Sequence, residues 1–460
     1  MALFLESKGR SKPEIGLLTM IPRLFSSCVA PLWSLLADKH ACARQIVCCN
    51  NVATTLHTML FQLIERDSSL ALVALLVAMR AFYNTPCGSL IDGISTQILA
   101  SAEYGEVRGI GALSFAVFSL SGGLLLQYAG GFAALFQCYF LLQAGTIGFL
   151  VHYLPAAVDV AASADAANVD RSPAGLVTNK ANRATVSSSA ATMSAILLIF
   201  ADNRNSSLAF AACIAFSGMG FGVIESFLFI RLGSLGASGL LLGLARFVMT
   251  IVEVPVFWYA QAAVDWIVKA WAVPKRLAQW VLLLVTQMAF VLRFSYYAVL
   301  VDPWWVFPAE LLHGFTFAMM WKLSVDYASD LATEHVPQSH GTMQTLLGGL
   351  HFGLSAGLGS ALGGVVYDFQ GPVFLFRCCV LLDTLSCILA AATCVSLYRA
   401  HMAGEGRREG GAALPSASAH GMLRGEGDAV EEGMEEEVEE VSFGRPAKKL
   451  SAIVRVTSSP

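Results

Sequence analysis

Polar residues interrupt this chain only at intervals. Between them lie apolar stretches at 15–36, 45–64, 69–92, 109–128, 132–154, 206–231, 238–262, 277–299, 303–325, 341–366 and 372–398. A helix that crosses a bilayer needs about 20 such residues. The pattern therefore predicts an all-α polytopic membrane protein of about eleven spans, and an odd count places the termini on opposite sides.

The linking segments set the orientation. Basic residues of short loops gather on the cytoplasmic face. Lys39, Arg44, Arg108, Arg171, Lys180, Arg183, Lys269, Lys275, Arg276, Arg399, Arg407 and Arg408 all fall on the side of the C-terminal tail, which is thus expected inside. Lys8, Arg10, Lys12, Arg66 and Arg231 fall on the other side. The first fourteen residues, MALFLESKGRSKPE, read as the end of a helix and the loop after it, and no signal-peptide core is expected there.

The two halves echo each other. SLSGGLLLQYAGGFAALF at 119–136 matches SALGGVVYDFQGPVFLF at 360–376, VAPLWSLLADKH at 29–40 matches EVPVFWYAQAAVDW at 253–266, and LIDGIS at 90–95 matches SVDYAS at 324–329. The order is the same in both halves. Parallel repeats of a six-helix unit build one large class of secondary transporters. Five spans in the first half and six in the second make the unit's first helix the expected missing one. The domains expected are an N-terminal bundle at 1–154, a cytoplasmic linker at 155–205, a C-terminal six-helix bundle at 206–400 and a disordered tail at 401–460.

Composition narrows the class further. Hydrophobic residues make up 56% of the 460 and charged residues 13%, with a mean hydropathy of +0.62. Soluble domains carry about 25% charged residues, which excludes an ordinary soluble enzyme or a disordered protein. The tail holds 7 basic and 11 acidic residues, and so accounts for the whole net charge of −4. Eleven cysteines without CxxC…CxxC spacing read as packing residues rather than a disulfide or zinc framework. No phosphate-cradling loop, HExxH or nucleophile elbow occurs. Neither an enzyme, an ATP-driven pump, a cofactor nor a nucleic-acid partner is expected.

With the spans and repeat in place, several segments carry a resemblance. IGLLTMIPRLFSSCVAPLWSLLADKH (15–40), FLFIRLGSLGASGLLLGL (227–244) with EVP (253–255), PAELLHGFTFAMMW (308–321) and GTMQTLLGGLHFGLSAGLGSALGGVVYDFQG (341–371) resemble the major facilitator superfamily, and within it the lactose-permease-like branch. The resemblance covers about 15–398 and implies two helical bundles around a central cavity. Ala37-Asp38-Lys39 keeps only part of the family's glycine-aspartate-arginine loop signature.

Charges at bilayer depth cost several kcal/mol unless paired or hydrated, and so mark function. Asp92, Asp265, Lys322 and Asp326 fall near cytoplasmic ends, where snorkelling or a local pair suffices. Arg80 sits near a midplane. Arg246 and Glu253 share a helical face, too far apart to pair directly, while Glu310 and His313 lie three apart with Arg293 in the preceding span. Glu225 lies in an outer half-span. A carboxylate, an imidazole and a guanidinium brought together can bind and release a proton as they move against one another. Lactose-permease-like symporters are similar in placing such groups on helices eight to ten. Glu253, Arg293, Glu310 and His313 are therefore the expected coupling residues, with Arg80, Arg246 and Glu225 the expected solute contacts. The expected partners are membrane lipid, a small organic solute and the proton, at the plasma membrane or an internal one. The competing expectation is a receptor or scaffold on a transporter fold.

Overall fold

The computed structural model describes residues 1–40, 42–98, 101–153, 206–335 and 340–412. Everything regular among them is helical. The first half holds α1 (Ala2–Ser7), α2 (Lys12–Cys28), α3 (Ala30–His40), α4 (Ala43–Leu60), α5 (Leu70–Ile98), α6 (Ser101–Tyr128) and α7 (Phe132–Tyr153). The second holds α8 (Ser207–Val223), α9 (Phe229–Ser234), α10 (Gly239–Ile251), α11 (Glu253–Trp271), α12 (Lys275–Val299), α13 (Phe307–Glu310), α14 (Met320–His335), α15 (His340–Gly348) and α16 (Ala356–Ala412). Residues Met1–Gly406 form one compact unit.

Helix occupies each of the eleven expected stretches. Length and apolarity together single out seven candidate membrane spans among the described residues: Leu70–Gly88, Ile110–Tyr128, Phe132–Tyr153, Ser207–Ser234, Gly239–Trp271, Lys275–Val299 and Met343–Ala403. The difference has local causes. The first stretch is interrupted at Val29, and 303–335 is divided among a 3₁₀ turn, α13, a π-helical segment and α14. In α16 a left-handed Gly371 (φ 79°) followed by Pro372 breaks one continuous helix into two arms.

Sequence sets the finer boundaries too. Ser11 and Glu14 form a reciprocal capping box at the start of α2. Pro255, in the first turn of α11, cannot donate to the carbonyl of Ile251 and crowds it, so α10 ends there.

The surface is that of a protein in lipid. Phe369, Trp258, Leu141 and Val301 are largely exposed, whereas Arg293, Glu310 and Asp383 are buried to 1% exposure or less. Water would invert that distribution. One core cluster gathers Phe227, Phe290, Phe294, Tyr297 and Phe376. A second gathers Phe210, Trp280 and Tyr327, with the Phe210 and Tyr327 rings stacked at 3.8 Å. The halves meet most extensively where α6 lies along α10. Gly123 and Gly243 permit this approach, for a methyl group on Gly243 would stand 2.8 Å from the Gly123 Cα. Nearby, Gln127 accepts a hydrogen bond from the Leu240 amide at 2.9 Å.

The linker at 155–205 and nearly all of the tail lie outside the described residues, as do the side chains of Asp38, Lys39 and Asp92.

Candidate functional site

Three helices of the second half are locally underwound into π-helical segments: Ile224–Leu228, Gly314–Met319 and Gly349–Ser355. A π segment inserts an extra residue per turn and re-aims side chains, and such segments concentrate at functional sites. Here they deliver Glu225, Phe317 and Phe352 to one cavity of about 400 Å³, with His313 immediately before the second segment. Phe221, Arg246, Thr250 and Glu253 complete its wall from the second half, and Ala112 and Phe115 of α6 close it from the first.

The polar groups form two linked sets. Arg246 binds Glu225 in a two-pronged pair, with Nη1 to Oε1 at 2.5 Å and Nη2 to Oε2 at 3.1 Å. Its guanidinium also lies 5.6 Å from the centre of the Phe115 ring. Deeper in, Arg293 distributes its donors among four acceptors: Tyr297 Oη at 2.7 Å, His313 Nδ1 at 2.9 Å, Thr316 Oγ1 at 2.9 Å and Glu310 Oε2 at 2.7 Å. Tyr297 donates onward to Glu310 Oε1 at 2.6 Å. The far nitrogen of His313, Nε2, stands 3.0 Å from Glu253 Oε1.

This arrangement dictates the protonation state of the imidazole. A guanidinium has only donors, so His313 Nδ1 must offer a lone pair. The ring is then neutral with its hydrogen on Nε2, donating to Glu253. A second proton on His313 has no place until Nδ1 leaves Arg293. The ring's position has a sequence cause: at Gly314 a methyl group would stand 2.6 Å from the Val252 carbonyl. Glycine there lets the π segment close on the α10–α11 junction and brings His313 to Glu253.

Of the seven residues singled out from sequence, six thus converge. Glu225, Arg246, Glu253 and His313 line the cavity, and Arg293 and Glu310 support it from behind. Arg246 and Glu253, expected on one face, are separated by the break at Val252 and take different partners. Arg80 does not line this cavity; it is half-buried in α5 with Nε donating to Thr58 Oγ1 at 3.0 Å. Lys322 and Asp326 pair with each other, as their spacing suggested.

Three groups escaped the sequence reading. Tyr297 shares Glu310 with Arg293 but carries no formal charge to flag it. Arg23, on α2, donates to the Thr19 carbonyl, Ser226 Oγ and Ser360 Oγ, and Asp383 is buried in the last helix. Both lie inside apolar stretches, where the search for intramembrane charge would have found them.

Comparison with known proteins places this architecture. The model of the MFS_1 like family matches residues 1–378. The chain belongs to that family. It is an integral, multi-pass membrane protein of the major facilitator superfamily. Two relatives agree: a Danio rerio "Major facilitator superfamily domain-containing protein 6-like" is 32% identical over 98 residues, covering 21% of this chain and 17% of the relative. A Xenopus laevis "Major facilitator superfamily domain-containing protein 6-like protein B" is 24% identical over 162 residues, covering 35% and 24%. The chain thus matches about a fifth of the length of these relatives. Among solved structures, the nucleoside transporter NupG has a similar fold, with a TM-score of 0.62 at 15% identity over 86% of this chain and 93% of NupG. A mutant form of NupG gives 0.61 at 16% identity over 86% and 94%.

Proposed function

We propose that this member of the family is a secondary active transporter that moves a small organic solute through the Glu225–Arg246–Glu253–His313 cavity, with the proton as coupling ion. Family membership and the NupG-like fold support transport by alternating access between two helical halves. A cavity of about 400 Å³ is large enough for a small solute. Four phenylalanines (Phe115, Phe221, Phe317 and Phe352) offer flat apolar faces, while Arg246, Thr250 and Glu253 offer hydrogen bonds. Such walls suit a solute with a ring face and a polar edge, a class to which nucleosides belong.

The observation that carries the coupling is the position of His313 between Arg293 and Glu253. A proton reaching Nδ1 turns the ring into a second cation beside Arg293. The ring must swing away, keeping only Glu253, and Arg293 falls back on Glu310, Tyr297 and Thr316. The junction of α10 with α11 and the π segment after His313 carry these groups, so proton binding repositions the cavity wall.

The test is solute-dependent proton movement in proteoliposomes that contain a pH-sensitive dye, using a panel of solutes that includes nucleosides. Internal acidification with uptake, lost in Glu253→Gln and Glu310→Gln, is expected. Uptake with no proton movement removes the coupling, and solute binding with no flux replaces transport by the receptor reading.

A further inference from the structure

The last helix carries a carboxylate that the Arg293 set does not use. Asp383 lies on the arm of α16 after Gly371, is wholly buried, and neither of its oxygens has a hydrogen-bond partner. From α8 it is faced by Cys213 and by Gly220, where a methyl group would stand 3.2 Å from Oδ2. Phe294 of α12 packs against the same glycine. Its own helix adds Cys379 and Cys387. Among the described residues no lysine, arginine or histidine pairs with it. A bare carboxylate in such surroundings costs several kcal/mol, so a cation must accompany it.

Other orphaned polar atoms lie on the helices around it. α8 and α12 run side by side, with Phe210 against Trp280 at one level and Gly220 against Phe294 at another. Thr286 and Gln287 fall between those two contacts along α12. Ser386 falls there too, since its carbonyl accepts the Cys213 thiol at 3.7 Å. The hydroxyls of Thr286 and Ser386 and both amide atoms of Gln287 are buried without partners. With the two carboxylate oxygens, that makes five unsatisfied oxygens and one uncompensated negative charge between those two contacts. Oxygen donors of this kind suit a small hard cation.

We propose that Asp383 is the centre of a monovalent-cation site in the second half, holding a proton on its own carboxyl or a sodium ion shared with Gln287, Thr286 and Ser386. None of these residues lines the solute cavity. Phe294, which packs against Gly220, directly follows Arg293 in α12, so occupancy bears on the turn of helix that supports the cavity from behind.

The experiment is thermal unfolding of purified wild type and Asp383→Asn over a pH series, in choline chloride and in sodium chloride at equal ionic strength. A ligand that binds only the folded state raises the melting temperature. The wild type is expected to gain about 3 °C or more, by sodium at fixed pH if the ion is sodium, or by acidification in choline if it is the proton. Asp383→Asn, already neutral, is expected to lose that gain. Should the asparagine variant not fold, Asp383→Ser carries the same comparison. Wild type and variant responding alike to both ions overturns the proposal. Solute flux plays no part in the readout, so this outcome is independent of whether the chain transports.

Discussion

Nη1 of Arg293 stands 2.9 Å from Nδ1 of His313, and the same guanidinium reaches Glu310 Oε2 at 2.7 Å. One cation, 1% exposed, thereby holds an imidazole as acceptor with one nitrogen and neutralises a wholly buried carboxylate with another. The two contacts are expected to fail differently when disturbed, the ion pair in stability and the imidazole contact in the proposed coupling.

Breaking the buried pair exposes its energetic role. Replacing Arg293 by Met leaves Glu310 uncompensated and is expected to cost about 3–5 kcal/mol, and Glu310→Gln is expected to destabilise in the same direction. The double variant Arg293→Met/Glu310→Leu is expected to recover part of that loss, because no charge remains without its partner. Thermal unfolding of the three variants checks this. A double variant less stable than the worse single one contradicts it.

Gly314 positions the histidine. The methyl group of Gly314→Ala would stand 2.6 Å from the Val252 carbonyl and 2.8 Å from Val256 Cγ2. Overpacking of this kind costs about 1–3 kcal/mol. The π segment is expected to move off the α10–α11 junction and lengthen the His313–Glu253 contact. A lower melting temperature with weakened proton-driven accumulation is expected, and wild-type values in both contradict the assignment.

The outer pair is expected to act on the solute. Glu225 and Arg246 remain 21% and 27% exposed at their side chains, so their mutual attraction is partly screened and their loss is tolerable for folding. Arg246→Gln is expected to raise the KM for solute by about tenfold, the equivalent of one good hydrogen bond at roughly 1.4 kcal/mol. The charge-swapped pair Glu225→Arg/Arg246→Glu is expected to fold without restoring affinity. Uptake kinetics of the single and double variants decide.

Gly243 tests the contact between the halves. Gly243→Val places carbon where the Gly123 Cα and the Ser119 carbonyl already lie, 2.8 and 2.9 Å away. The α6–α10 contact is expected to open and the cavity wall at Phe115 to become reachable. Phe115→Cys labelling by a membrane-impermeant thiol reagent, in a background from which the accessible native cysteines have been removed, is expected to be several-fold faster with valine at 243. Equal rates contradict a sealing role.

The fold class was legible because hydropathy acts over the length of a helix, and the helical stretches fall where the apolar stretches do. The count of spans was less so. Gly371 breaks α16 through one left-handed residue, and the breaks at Val29 and within 303–319 lie inside apolar sequence. Six residues of the cluster were legible because charge at bilayer depth is conspicuous. Their pairing was not, since Arg246 meets Glu225 across 21 residues and His313 meets Glu253 across 60. The π segments were hidden as well. Gly314 reads as an ordinary small residue until the Val252 carbonyl is seen against it.

The central claim is that a proton on His313 must displace Arg293. Its most direct measurement compares solute accumulation driven by an inward proton gradient with solute exchange at equal pH, for wild type and His313→Gln in proteoliposomes. The glutamine keeps a hydrogen-bonding side chain but cannot titrate. Wild type is expected to show both activities, and the variant to exchange solute while failing to accumulate it. Full gradient-driven accumulation by His313→Gln would contradict the account.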